Sequence, residues 1–121
     1  RRLDARVSLI DLFPTFLDVA QVNHDVRHQG MSLFLSQKQN TSANGRTILI
    51  ETEGSVRGIR HGSYKYLYDH MTNKEELYDL HTDPYETKDL APANPELVQE
   101  MRLRLLNIMT DCCWDRYTYV D

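Results

Sequence analysis

The stretch VRGIRHGSYKYLYD, Val56–Asp69, decides the fold because it predicts a β-hairpin. Two runs of strand-forming residues flank Gly62-Ser63, a two-residue turn in which the glycine supplies the positive φ. The register that follows from this turn makes two pairs: Ile59 with Tyr66, and Arg57 with Tyr68.

The same register assigns the hairpin side chains to two faces, because successive residues of a strand point to opposite sides. One face carries Arg57, Ile59, His61, Tyr64, Tyr66 and Tyr68. The other face carries Val56, Gly58, Arg60, Lys65, Leu67 and Asp69. On the second face Arg60 and Lys65 lie directly opposite each other, and like charges in that position destabilise a sheet.

Some group should therefore neutralise Arg60 and Lys65. The interpretation we favour is an ion pair with Glu51 or Glu53, which lie on or next to the preceding strand. The alternative is an anionic group of a substrate, or another domain of the protein.

The segments around the hairpin complete a sheet with a helix on it. TILIET, residues 47–52, and EELYDL, residues 75–80, are predicted strands, and Asp83-Pro84 predicts a turn after the second of them. A last helix begins with Asn94 as its cap and Pro95 as its first residue. Its apolar stripe consists of Leu97, Val98, Met101, Leu105, Ile108 and Met109. We therefore predict an α+β fold of about four antiparallel strands with the C-terminal helix packed across them.

The start of the chain has a different pattern. ARVSLID, residues 5–11, predicts a strand, and Asp11 is a predicted N-cap for a helix that ends near residues 21–23. A strand that leads into a helix is part of an α/β unit, and the chain supplies no second unit of this kind. Because the sequence also lacks an initial Met, we expect the natural N-terminus to lie upstream and this part to be the remnant of a larger α/β domain.

Composition limits the partners. The 121 residues include 18 acidic and 14 basic side chains, for a net charge of −4. This balance gives no basic field, so we expect no nucleic-acid partner. No apolar run approaches the roughly 20 residues that span a bilayer, so we expect no membrane partner. Cys112 and Cys113 are adjacent and can pair only with strain, which leaves the redox compartment and the localisation open.

Four segments in their order resemble the C-terminal end of sulfatases, which belong to the alkaline-phosphatase-like superfamily. They are VSLIDLFPTFLDVAQV, QGMSL, IRHGSYKYLYD and ELYDLHTDPYETKDLA, and an amphipathic helix follows them. The resemblance spans nearly the whole chain. It departs at three loop or turn positions: Gln21, where glycine is common, Gln29, where aspartate is usual, and Asp89, where asparagine is usual.

The resemblance implies a large α/β domain followed by a smaller C-terminal subdomain. Residues 1–35 would be the last strand and helix of the large domain, and residues 36–121 would be the subdomain. The implied protein is a sulfuric-ester hydrolase that acts on a sulfated small molecule or glycan. Its own N-terminal catalytic domain would then be the partner of this chain.

The segment CCWDR, Cys112–Arg116, is similar to the sulfatase nucleophile motif C-x-P-x-R, whose cysteine becomes formylglycine. Trp114 occupies the proline position, however, and the segment follows the last helix, whereas the family motif lies in the N-terminal half. We therefore expect no catalytic residue, metal ligand or cofactor in this chain. The resemblance implies that formylglycine and calcium belong to the missing domain.

Within the chain, the hairpin is the best candidate for substrate contact, since the subdomain of this family often lines the mouth of the cleft. The candidate residues are Arg57, Arg60, His61 and Lys65. Arg57 and His61, flanked by tyrosines, could offer hydrogen bonds and stacking to a sugar. The interpretation we favour for the tyrosines is that they form the packing face of the sheet with their polar tips outward.

Other polar clusters have simpler interpretations. His24 and His28 have the spacing of metal ligands on a helix, but they lie in a polar loop, so we interpret them as solvated. The acidic cluster Glu75, Glu76 and Asp79 is interpreted as a solvated strand edge rather than a general acid–base site.

Two alternatives to a sulfatase remain. One is a binding or oligomerisation module without catalytic function, and the other is the C-terminal part of a related phosphatase or phosphodiesterase. The wording ELYDL-x-x-DP-x-E favours a sulfatase by analogy. We also expect the isolated chain to form a homo-oligomer, because its first helix keeps an apolar side with nothing to cover it.

Overall fold

The structure is a computed structural model that describes residues 6–23, 29–34, 45–52 and 54–111. The chain divides into two compact units, residues 1–46 and residues 47–121. In its described part, the first unit contains a 3-10 helix, Leu9–Asp11, and an α-helix, α1, Leu12–Val19. In its described part, the second unit contains four strands, a 3-10 helix, Ala91–Ala93, and an α-helix, α2, Pro95–Asp111.

The four strands form one antiparallel sheet in the order of the sequence. They are β1, Thr47–Glu51, β2, Val56–His61, β3, Tyr64–Asp69, and β4, Lys74–Asp79. The predicted hairpin is confirmed, with φ at 56° for Gly62 in the turn. Its register is also confirmed: Ile59 pairs with Tyr66, Arg57 with Tyr68, and Arg60 with Lys65.

One row of side chains across the sheet forms the centre of the core. Paired positions place Leu49, Ile59, Tyr66 and Leu77 side by side on the four strands. Ile59, Tyr66 and Leu77 are fully buried, and they pack against the α2 residues Val98, Met101 and Leu105. The predicted stripe of the last helix is thus confirmed. The tyrosines belong to the packing face as expected, but the polar tip of Tyr66 is buried and does not point outward.

The segment after β4 protects the outer edge of that strand. Asp89 Oδ1 accepts hydrogen bonds from the N–H groups of Leu77, at 3.0 Å, and Ala91, at 2.9 Å. The N–H of Leu90 donates to the carbonyl of Leu77 at 2.8 Å. These bonds occupy backbone groups that an edge strand would otherwise leave open to pairing. Because both donors are backbone N–H groups, a carboxylate at position 89 serves as well as an amide oxygen.

The first unit departs from the predicted strand. Leu9–Asp11 form a 3-10 helix, so the prediction of a strand is wrong for these residues. Ser8, just before them, is extended, but no strand pairs with it among the described residues. The physical reason is that a strand needs a neighbour for its backbone hydrogen bonds, whereas a 3-10 turn bonds internally. The N–H of Asp11 donates to the carbonyl of Ser8 at 3.0 Å.

Asp11 is not the side-chain cap that the sequence predicted. Its backbone is already helical, and its carboxylate makes no capping hydrogen bond to α1. The fully buried carboxylate instead accepts the N–H of Ser8 at 2.7 Å and the N–H of Met31 at 2.8 Å. Arg46 donates to both of its oxygens at 2.6 Å. Asp11 therefore joins three parts of the first unit that are distant in sequence.

The end of α1 explains the departure at Gln21. This residue has φ at 54°, in the left-handed region where glycine is favoured. The N–H of Val22 donates to the carbonyl of Leu17, and the N–H of Gln21 to the carbonyl of Asp18. This pair of bonds is a Schellman motif, whose left-handed position is usually a glycine.

Candidate functional site

A cleft of about 410 Å³ lies in the second unit, between the sheet and the C-terminal half of α2. On the sheet side, Arg57, Tyr68 and Glu75 lie in a row, because each is paired directly with the next across β2, β3 and β4. The core row that contains Tyr66 lies two residues further along each strand, on the same face of the sheet. The side chains of Leu105, Leu106 and Met109 form the apolar wall opposite.

Glu75 connects the sheet to α2 at this cleft. It accepts hydrogen bonds from Arg102 Nε at 2.8 Å and Arg102 Nη2 at 2.5 Å, and a further one from the buried hydroxyl of Tyr66. The Arg102 guanidinium holds the pKa of the Glu75 carboxyl below its usual value, although partial burial opposes this. Burial and the Glu75 carboxylate raise the pKa of the Tyr66 hydroxyl, so Tyr66 stays a neutral donor. The interpretation of Glu75 as part of a solvated strand edge is therefore wrong, since its partners lie on other elements and were not visible in the local sequence.

The turn between β3 and β4 forms the end of the cleft. Tyr68 donates its hydroxyl hydrogen to Asn73 Oδ1 at 2.8 Å. His70 Nδ1 lies 2.6 Å from the carbonyl oxygen of Ser55. Because a carbonyl only accepts, Nδ1 carries the proton, and Nε2 of the imidazole is the nitrogen left for other contacts. Hydrogen bonds from Ser55 and Thr72 lower the pKa of Asp69 to about 2 and hold this turn in place.

The structure separates the four predicted site residues. Arg57 lines the cleft, on the face that packs against α2. His61 lies on the same face, but its Nδ1 is 2.8 Å from the hydroxyl of Thr47 and it does not line the cleft. Arg60 and Lys65 lie on the opposite face of the sheet.

Lys65 has a partner that the sequence did not predict. Its Nζ lies 2.8 Å and 2.7 Å from the two carboxylate oxygens of Glu86, in the loop after β4. Glu51 is not the neutralising group, because it is paired with Arg57 and so lies on the other face, while Glu53 lies outside the described residues. Glu86 is the glutamate of the DPYE segment, and this segment was the available sequence signal for the partner of Lys65. Its backbone has φ at 57° in a tight turn.

Arg60 keeps an unsatisfied donor. Its Nε is buried and has no hydrogen-bond partner within the described residues. Arg60 is flanked across the sheet by Ile48 and Lys65, neither of which offers an acceptor in its side chain.

Several earlier candidates cannot be placed. The segment Cys112–Arg116 and the pair His24 and His28 lie outside the described residues. Within the described residues, no group of three or more His, Cys, Asp or Glu side chains is arranged to hold a metal ion. None of the described helices has the length and apolar character to cross a membrane.

Solved sulfatases contain the same arrangement of sheet and helix. A 2-O GAG sulfatase matches with a TM-score of 0.71 and 30% sequence identity, over 92% of this chain and 26% of the other chain. The fold therefore places the chain among the C-terminal regions of sulfatases. A sequence model of the family described as N-sulphoglucosamine sulphohydrolase, C-terminal, matches residues 1–111, and the chain belongs to this family.

Similar proteins include full sulfatases from animals and bacteria. Arylsulfatase K of Rattus norvegicus is 32% identical over 118 residues, which cover 85% of this chain and 21% of that protein. A Delta 4,5-hexuronate-2-O-sulfatase of Bacteroides thetaiotaomicron is 33% identical over 114 residues, which cover 84% of this chain and 23% of that protein. The chain thus spans about a fifth of the length of these relatives.

Proposed function

We propose that this chain is the C-terminal part of a sulfuric-ester hydrolase. The observation that carries the proposal is the family match over residues 1–111, together with relatives of which the chain covers only about a fifth. In this proposal residues 1–35 belong to the N-terminal α/β domain and residues 36–121 form the C-terminal subdomain. The catalytic domain is then the main partner of the subdomain.

The bond-breaking chemistry is proposed to lie outside these 121 residues. The sulfatase family implies a formylglycine nucleophile and a calcium ion that stabilises charge on the sulfate group. The described residues do not fit the metal, because they contain no cluster of suitable ligands. Cysteine or serine as the precursor of formylglycine fits the proposal equally.

The proposed substrate is a sulfated glycan or a smaller sulfated sugar. The similar bacterial protein is named for hydrolysis of a 2-O-sulfated hexuronate, and the similar solved structure is a GAG sulfatase. Over the aligned residues, which make up about a quarter of each of those proteins, the identity to this chain is 33% and 30%, and this similarity is what supports a sulfated sugar as the substrate.

Arg60, Lys65, Arg57 and His61 remain the proposed substrate contacts, and Arg60 has the strongest support. Its buried Nε lacks an acceptor among the described residues, and a buried donor without a partner costs about 1–3 kcal/mol. A sulfate oxygen, or an acceptor from the catalytic domain, would recover that free energy. Lys65 has less support because Glu86 already neutralises it.

Release of inorganic sulfate from the complete protein tests the activity. We expect hydrolysis of a 2-O-sulfated uronate, an N- or 6-O-sulfated glucosamine or an aryl sulfate, and loss of activity when calcium is removed with a chelator. Hydrolysis of phosphate esters in place of all these sulfates would assign the protein to a related phosphatase. No hydrolysis of either class would support a binding module.

The variant Arg60→Ala in the complete protein tests the contact. If Arg60 binds the sulfate-bearing group, KM should rise about tenfold or more, which corresponds to one charge-assisted hydrogen bond. The matched control is Lys74→Ala, which removes an exposed basic residue of the same face and should leave KM unchanged. An unchanged KM with an altered melting temperature in Arg60→Ala would show that the arginine is only structural.

A further inference from the structure

The cleft beside α2 presents an apolar wall next to charges that are already balanced. Arg102 is bonded to Glu75 at 2.8 Å and 2.5 Å, and Arg57 lies directly opposite Glu51 on β1. The volume of about 410 Å³ lies in the range of roughly 300–1,000 Å³ that holds small molecules, so an aromatic side chain fits it. We therefore expect an occupant that is aromatic rather than a free anion. The wall consists of the α2 side chains Leu105, Leu106 and Met109.

One polar group of the cleft still has room for a hydrogen-bond donor. Glu75 accepts two hydrogen bonds from Arg102 and one from the hydroxyl of Tyr66. A carboxylate has about four lone-pair sites, so about one of them remains open among the described residues. An indole combines an apolar ring with a single N–H donor, and a buried indole usually finds an acceptor. A tryptophan side chain thus fits both the wall and the carboxylate.

The chain itself supplies a tryptophan immediately after α2. Residues 112–121 have the sequence CCWDRYTYVD, and Trp114 is the only tryptophan of the 121 residues. Tyr117 and Tyr119 belong to the same segment, which is therefore much richer in aromatic residues than the chain as a whole, at 9%. Such a segment lowers its free energy when it covers an apolar surface.

The point of attachment brings this segment next to the cleft. α2 ends at Asp111, so Trp114 follows that end by three residues, and Met109 precedes it by two. Residues at these two positions commonly pack on each other where the chain turns back after a helix. Leu106 lies about 7.5 Å before the end at 1.5 Å per helical residue, and three extended residues cover about 10 Å. The tryptophan is therefore within reach of the apolar wall.

We propose that residues 112–121 turn back over the end of α2 and place the indole of Trp114 in this cleft. The ring packs on Leu106 and Met109, and its N–H donates to Glu75. The segment CCWDR, whose spacing resembles a nucleophile motif, then has a packing role. The inference goes beyond the proposed hydrolysis, since it concerns only residues of this chain and would hold for a binding module as well.

Tryptophan fluorescence tests the contact directly, because Trp114 is the only tryptophan. In the natural chain we expect emission to the blue of the urea-unfolded chain and acrylamide quenching at least about threefold weaker, since a docked ring is shielded from solvent. Leu106→Gln should bring both close to the unfolded values, because it removes apolar contact at a position that is 51% exposed and so spares the core. Leu103→Gln is the matched control, since Leu103 lies on the same helix, is 54% exposed and does not line the cleft.

Methyl NMR gives a second readout that leaves the cleft residues unchanged. Trp114→Ala should move the methyl signal of Met109, on which the ring packs, and leave that of Met71, which is 75% exposed and does not line the cleft. Emission of the natural chain equal to that of the unfolded chain, equal quenching in the two glutamine variants, or an unmoved Met109 signal would overturn the proposal.

A second copy of the chain is the rival occupant of the cleft. Protection of Trp114 that grows with protein concentration would overturn the proposal, because the segment of another copy would then fill the cleft. Protection that is independent of concentration is the expected result. None of these outcomes depends on whether the complete protein releases sulfate.

Discussion

At the scale of single residues, Asp11 links three described parts of the first unit. Its carboxylate is fully buried, and it binds two backbone N–H groups and the guanidinium of Arg46. In Asp11→Asn the shape is kept but the charge is lost, so Arg46 remains 21% exposed without its counter-ion. Loss of one partner of a buried pair costs about 3 kcal/mol. We expect a loss of this size in urea denaturation, against less than about 0.5 kcal/mol for Glu100→Gln, which removes an exposed pair.

The pH dependence of the same carboxylate gives a second check. Burial opposes its ionisation, but Arg46 and the N–H groups of Met31 and Ser8 hold the pKa of Asp11 below 3.8. A folded-state pKa below the unfolded value means that the stabilisation is complete above about pH 4 and is lost as the pH falls through the lower folded value. The difference in unfolding free energy between the natural chain and Asp11→Asn should therefore shrink in strong acid. A difference that stays constant down to pH 2 would contradict this assignment.

Gln21 offers a stabilising change at the residue scale. It occupies the left-handed position of the Schellman motif with φ at 54°, and glycine adopts this conformation without strain. Gln21→Gly should raise the unfolding free energy by about 0.5–1 kcal/mol, after the extra entropy of glycine in the unfolded chain is subtracted. The control Asp18→Gly, inside α1, should lower it by about 1 kcal/mol. Thermal melts that show a loss of stability in both variants would argue against the motif.

At the scale of elements, the sequence predicted those structures whose signals are local. The turn at residues 62–63 sets the register of the hairpin, and the apolar stripe of α2 sets the face that packs on the sheet. The strand predicted for residues 9–11 failed because β-branched and apolar residues indicate a strand only when a neighbour can pair with it. The link between Glu75 and Arg102 was also hidden, because 27 residues separate them and only the crossing of α2 over the sheet brings them together.

That link should make the attachment of α2 to the sheet sensitive to acid. Arg102 holds the pKa of Glu75 in the folded state below 4.5. The pair therefore stabilises the folded state fully above that pH, and this stabilisation is lost as the pH falls through the folded-state pKa of Glu75. Because Arg102 is about half exposed, we expect only about 0.5–1 kcal/mol from it. Glu75→Gln and Arg102→Gln should each reduce the loss of stability between pH 5 and pH 3, and the double variant should resemble either single variant. Full additivity of the two changes in a double-mutant cycle would exclude the coupling.

At the scale of the whole molecule, the sequence predicted the family but only part of the site. The order of the four quoted segments was sufficient to predict the resemblance to sulfatases, because each segment corresponds to a turn, an edge strand or a helix of the fold. The cleft could not be predicted, since it depends on where Leu106 and Met109 of α2 meet the end of the sheet. Arg57 was named from the hairpin alone, whereas Arg102 and His70 enter the cleft from elements whose relative placement no local pattern encodes.

The exposed apolar surface of the first unit predicts self-association of the chain. Phe16 is 65% exposed, Val19 is 62% exposed and Leu9 is 84% exposed, and such a patch is unusual on an isolated monomer. In the relatives most of the protein lies outside the matched region, so in the complete protein we propose that the catalytic domain covers this surface. In the isolated chain a second copy is the occupant that we expect.

Light scattering of the isolated chain should therefore give a dimer or a larger species. Phe16→Lys and Val19→Lys should shift the chain toward the monomer, because they place charges on the patch without removing buried contacts, and a cation near the C-terminal end of α1 is favourable. Met71→Lys is the control, since Met71 is 75% exposed but belongs to the turn after β3 in the second unit. A natural chain that remains monomeric at high concentration, or lysine variants that associate as strongly as the control, would show that this surface does not drive association.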